Sequence, residues 1–317
     1  MRKLKVVGVV VGWLLALGVA QGQDLKPFAG TWEMRLGTRN FLVLTLTPDG
    51  NGMSGRFEQP AKFETSNFVI FSNMSRDLLS ERVVNSRLSD GVLHLTVANE
   101  KDAKDQDKYA MTLRGDHAEL GFDGLPPGAV VPPYVLEHAP NDAKVSTDWV
   151  TNRAYVVGDS DVPSAEMKRI FTEDQNGRMG HVDGATIFKR DMVRREQTRA
   201  LLAAGALHTG EDYREAAFIF QHGQTPQDYL LAHTLAMVAV SKGDVTSIWI
   251  AAASMDRYLQ KIGQKQIFGT QFLPDLKGGW TQEPYDRGLI SDTLRQQLGV
   301  PSQAEQDEEL KAHPDKK

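Results

Sequence analysis

The chain has 317 residues, a formal net charge of −5 and no cysteine. Hydrophobic residues at 41% and charged residues at 24% are ordinary for a globular protein, and the length accommodates two domains. An acidic balance with no basic cluster argues against nucleic acid or an anionic membrane surface as partner. Zero cysteine rules out disulfides, thiol nucleophiles and thiolate metal sites.

The N-terminus has the layout of a secretory signal peptide. Arg2, Lys3 and Lys5 precede an apolar run at 6–20, VVGVVVGWLLALGVA, and small residues at 18–22 offer a cleavage site. The run is shorter than the ~20 residues that span a bilayer. Residues 1–22 are therefore expected to be removed, with no membrane span in the mature chain and a periplasmic or secreted location. Losing the three positive charges takes the net charge from −5 to −8.

Residues 23–140 carry strand periodicity. FLVLTLT at 41–47 is followed by the turn cluster Pro48-Asp49-Gly50-Asn51-Gly52 and a second strand at 53–57. Further strands are expected at 67–71, 81–88, 92–97, 109–113 and 118–122, with turns at 89–91 and 115–117. About eight short strands at hairpin spacing indicate an antiparallel β-barrel or sandwich. Gly50, Gly52 and Gly55 match G-x-G-x-x-G, but no helix follows to cradle a phosphate, so the spacing reads as a hairpin. Gly30-Thr31-Trp32, at the start of the first strand, resembles the opening of lipocalin-like barrels. That resemblance implies an interior able to take a small apolar ligand. The alternative is a small barrel filled by its own side chains.

A polar connector covers 141–162, with a short strand at 153–157. From 163 to 317 the pattern is helical, with helices expected at 163–172, 187–204, 212–221, 226–242, 245–262, 289–298 and 303–312. Thr225, Pro226 and Asp228 form a helix start, and Gly243 and Gly263 mark helix ends. The expected fold class is α+β, segregated: a β-barrel followed by an α-helical domain of hairpin pairs.

The residues able to carry chemistry fall in the helical half. DQNGR occupies 174–178, QHG 221–223, DR 256–257 and GQKQIFGTQ 263–271. Asp174 and Arg178 are four apart, hence on one helical face. His222 follows a helix C-terminus, where the dipole favours its charged form, and it can exchange a proton near neutral pH. Asp256 and Arg257 point about 100° apart. Gln175, Gln221, Gln264, Gln266, Thr270 and Gln271 supply donors and acceptors.

Three readings follow. The set is a structural polar lock, a site for a small polar ligand or peptide, or a catalytic site. The first two make the chain a binding or scaffold protein; the third makes it a small hydrolase in which His222 acts as general base, Asp256 orients it, and Arg257 or Arg178 holds an anionic substrate. No metal-ligand spacing and no cofactor motif accompanies the set. Its order, ending in Gly-X-X-Gln-X-(Tyr/Phe)-Gly-Thr-Gln, resembles an uncharacterised bacterial family of helical domains. The resemblance covers about 163–275 and implies a shared site with no assigned reaction.

Overall fold

The computed structural model describes residues 24–179, 183–275 and 279–312; the expected signal peptide lies outside them. The first half is a closed eight-stranded antiparallel barrel. Its strands are β1 (Gly30–Leu36), β2 (Arg39–Asp49), β3 (Gly52–Pro60), β6 (Leu78–Ser89), β7 (Val92–Asn99), β8 (Gln106–Arg114), β9 (His117–Phe122) and β10 (Tyr134–Ala139). Between β3 and β6 a side hairpin of β4 (Glu64–Ser66) and β5 (Ile70–Ser72) leaves the barrel wall. It pairs with β11 (Tyr155–Val156) from the connector.

The glycine-rich stretch is a hairpin. Asp49 pairs with Gly52 across Gly50-Asn51, and a Cβ at Gly55 would lie 2.0 Å from the Thr45 carbonyl oxygen, so the strand approach there requires glycine. A turn at Lys26–Phe28 packs against Trp32, whose indole Nε1 donates to the Phe28 carbonyl at 3.0 Å. Phe41, Phe57, Phe71, Tyr109, Phe122 and Tyr134 meet ring to ring in the barrel core. Own side chains therefore pack the middle of the interior.

Two strand expectations shift. Residues 67–71 join the side hairpin instead of the wall, and β10 takes the eighth wall position from within residues 125–140, a stretch whose prolines and glycines read as the end of the first domain and not as a strand. The connector is held along its length. Trp149 and Tyr155 sit in the barrel core. Asp161 accepts from Thr38 and Arg39 on the β1–β2 turn. Asp159 pairs with Lys242, and the Ala154 amide donates to the Ser241 carbonyl at 2.8 Å. One short polar segment thus ties the barrel to the helices.

The second half contains α1 (Ala165–Arg178), α2 (Gly184–Ala203), α3 (Gly210–Phe220), α4 (Pro226–Ser241), α5 (Ile248–Lys261), a β12–β13 pair (Leu273–Pro274 and Trp280–Thr281), α6 (Asp292–Gln297) and α7 (Gln303–Ala312). Thr209 with Asp212 and Thr225 with Asp228 form capping boxes at the starts of α3 and α4. Alanines 216, 217, 232, 236 and 253 let α3, α4 and α5 pack closely around Ile219, Phe220, Leu235 and Ile250. Among the described residues no helix is long and apolar enough to cross a membrane.

Glu81 is an inward-facing carboxyl on β6, 1% exposed. Burial, then the charges of Asp107 and Asp105, push its pKa up to about 7. A carboxyl whose folded pKa exceeds its unfolded value weakens the fold as it ionises, so this group costs stability as pH rises from 4.5 to about 7. The cost is at most about 3 kcal/mol. Thermal unfolding at several pH values should find Glu81→Gln more stable than wild type at pH 8 and near parity at pH 4. A less stable variant at pH 8 would show that the fold compensates the charge.

Candidate functional site

The expected site residues separate into two hydrogen-bonded groups. The first joins α1, α2 and the α3–α4 turn. Arg178 donates to both oxygens of Asp174, at 3.1 and 2.8 Å, so the i,i+4 pair forms and Asn176-Gly177 does not break α1. Arg178 also reaches Asp191 at 2.9 Å. Arg194 contacts Asp174 and Asp191 at 3.3 and 3.2 Å. Gln175 donates to Asp174 at 2.9 Å. His222 Nδ1 lies against Arg178 Nη2 and 3.6 Å from Asp174 Oδ2. It accepts from the guanidinium when neutral and faces the carboxylate when protonated. The His222 carbonyl accepts from Arg195 at 2.8 Å, and the buried Gln221 is the C-cap of α3.

Asp174 is 1% exposed. Burial would raise its pKa, but His222 and Arg178 outweigh burial and hold it at about 2. The helix α2 that completes this group is built inside out. Asp191, Arg194, Arg195 and Thr198 are its buried face, whereas Phe188, Met192 and Val193 are exposed. Periodicity alone assigns the apolar positions to the core. The charged side turns inward because Asp174 and the His222 turn supply its partners.

The second group is the stretch after α5. Asp256 is fully buried in the last turns of α5. Its carboxylate accepts from the amides of Ile267, Phe268 and Thr270 at 2.8, 3.0 and 2.9 Å, and from the Thr270 hydroxyl at 2.8 Å. Gln266 donates to the carbonyls of Gln271 and Gln282 and accepts from the Gln271 amide at 3.0 Å. Gln271 donates to the Ala253 carbonyl and to Thr270. Gly269 has φ +80°, and a Cβ there would fall 2.1 Å from Gln306 Oε1 and 2.5 Å from the Tyr285 hydroxyl. Gln264 is exposed and lies outside this lock.

Both Asp256 oxygens are thus spent on the turn, and no hydrogen bond joins Asp256 to His222. The catalytic reading required such a pair. The residues that complete the lock, Gln282, Tyr285, Arg295 and Gln306, were not legible in the sequence. They come from 13 to 38 residues away, and only the fold brings them to Gly269 and Phe268.

Arg257, adjacent to Asp256, points elsewhere and has no hydrogen-bond or ion-pair partner among the described residues. Its Nε and the Nε2 of Gln260, one turn on, are buried donors without acceptors. Burial pushes the Arg257 pKa below the usual arginine range, with a smaller opposing influence from Tyr229. The Tyr229 hydroxyl donates to the Gly223 carbonyl at 2.7 Å, which connects this region to the turn carrying His222. Among the described residues no group of three or more His, Cys, Asp or Glu could hold a metal ion. Compared with protein-family models, curated proteins and solved structures, the chain matches none.

Removing the charge of Asp256 tests the lock. Asp256→Asn places an amide donor against three backbone N–H groups, so a loss of about 3–5 kcal/mol is expected in urea unfolding. A loss below about 1 kcal/mol would mean that the turn is held by something else.

Proposed function

We propose that the protein is a non-enzymatic binding protein whose helical domain receives the anionic group, carboxylate or phosphate, of a small polar ligand or peptide. One observation carries the reading: Arg257 is a half-buried arginine whose Nε is buried without an acceptor, and its guanidinium has no partner among the described residues. Its counterparts Arg178, Arg194, Arg195, Arg214 and Arg295 each contact a protein oxygen. An unpaired buried charge is costly, and an arriving anion repays that cost with charge-assisted hydrogen bonds. Gln260 Nε2 adds a neutral donor on the same face of α5.

A hydrolase built on His222 has less support. Asp174 and Arg178 hold the imidazole, and Asp256 is committed elsewhere. The basic and apolar N-terminal segment supports action outside the cytoplasm. The residue order from 174 to 271 supports kinship with the bacterial helical family it resembles.

Arg257→Met separates a binding role from a structural one. Melting curves should be recorded with inorganic phosphate, succinate and a tetraglutamate peptide. An upward shift with at least one of these anions in the wild type, lost in the variant, is expected. The unliganded variant should be as stable as wild type or more so, since an apolar side chain replaces an unpaired charge. A variant destabilised by more than about 1 kcal/mol, or one that keeps the shift, contradicts the proposal.

A further inference from the structure

The barrel holds a site of opposite character, at the end where β3 finishes and β6 begins. Phe57, Gln59, Glu81 and Tyr109 are buried there. Phe57 pairs with Glu81 and Gln59 with Leu79 in the β3–β6 register, which makes Gln59 and Glu81 diagonal neighbours on one face. Phe57 belongs to the barrel core, so that face is the inner one. Asp107 sits two residues before Tyr109 on β8 and shares its inward side.

Two acceptors at this end have no donor among the described residues. Gln59 Oε1 and Glu81 Oε2 are both buried and unpartnered, and Glu81 is 1% exposed. The charges acting on Glu81, from Asp107 and Asp105, have its own sign. Asn99 across β7 donates to Asp105, not to Glu81. Aromatic rings complete the surroundings: Phe57 stacks on Tyr109 at 5.1 Å, and Phe122 lies 5.3 Å from Tyr109 and 5.7 Å from Tyr134. Over Phe122 and Tyr134 sits Phe68, at 5.8 and 6.0 Å, from the tip of the β4–β5 hairpin. Asn67 and Phe68 both have φ of 54°, a conformation a bulky side chain adopts only when its surroundings enforce it.

We propose that this barrel mouth binds a primary ammonium group, with Glu81 and Gln59 as acceptors, Asp107 as a second negative charge and the Phe57 and Tyr109 rings alongside. Unpartnered acceptors call for N–H donors, and inward negative charge calls for a cation. Aromatic faces add cation–π attraction. A quaternary ammonium lacks the N–H groups. A metal ion is disfavoured because no three-ligand group is present among the described residues. The site is independent of Arg257 and of the helical domain's anion.

Calorimetric titration of the purified protein with 2-phenylethylamine and with its uncharged counterpart 2-phenylethanol tests this. At pH 8 the amine should bind at least about tenfold more tightly than the alcohol, and at pH 5.5 that advantage should shrink to about threefold or less. Glu81→Gln should weaken amine binding about tenfold or more at pH 8, and Asp107→Asn about threefold. Melting curves verify that both variants are folded; if Glu81→Gln is not, the exposed Asp107→Asn and the pH comparison still decide. Equal affinity for amine and alcohol, no amine binding up to about 10 mM, or full affinity in a folded Glu81→Gln variant would overturn the proposal. Any of these would mean that Glu81 and Gln59 satisfy each other inside the barrel.

Discussion

The Asp256 carboxylate is the constraint on which the C-terminal part of the helical domain depends. Three backbone amides and one hydroxyl converge on it, much as backbone N–H groups converge on an anion in a nest. The chain leaving α5 is thereby folded back against that helix. This turn places the Phe268 carbonyl where Tyr285, Arg295 and Gln306 reach it, and the Gly269 carbonyl where Gln282 does. α6 and α7 carry little apolar surface; their buried residues are Arg295 and Gln306. Their attachment is therefore largely polar and inherits its geometry from one buried carboxylate.

A density of amides and hydroxyls in a sequence does not distinguish a lock from a site; accounting for each donor and acceptor does. At Asp256 and along the 266–271 turn the carboxylate, the amides and the hydroxyl are matched within the protein, with Gln264 left to solvent. Around Asp174 and His222 two aspartates meet two arginines, a balanced buried network that fixes α1 and α2 against the α3–α4 turn. Buried polar atoms without partners among the described residues include single ones at Trp149, Arg153, Glu215 and Ser247, and two neighbouring sets: donors at Arg257 and Gln260, acceptors at Gln59 and Glu81. Buried polar groups without partners are rare in folded proteins, and the two places where they occur in neighbouring pairs carry the functional reading.

Much of the architecture was legible because it is written locally. Alternating strands with glycine and aspartate turns, and helices opened by Thr209 or Thr225 with an aspartate three residues on, announce themselves within a few residues. β10 was hidden because its six residues follow Pro132-Pro133 and alternate only briefly. α2 misleads because its buried face is charged. Asp174 and Arg178 were readable as an i,i+4 pair. The pairing of Asp256 with a turn 11 to 14 residues later was not, since a carboxylate and a histidine in one helical set suggest an orienting pair, and nothing local shows that backbone amides would take both oxygens. Glu81 carried a faint signal, a charged residue at an inward position of a strand, whose meaning depends on the register with β3 and on Asp107 from β8.

Amide hydrogen exchange at Ile267, Phe268 and Thr270 tests the central claim most directly. Held by a buried carboxylate in a cooperative lock, these turn amides should exchange as slowly as the core amides of α4 and α5, through unfolding of the helical domain. Exchange at the rate of an open surface loop would contradict the account, because the Asp256 carboxylate would then not be what holds the C-terminal segment in place.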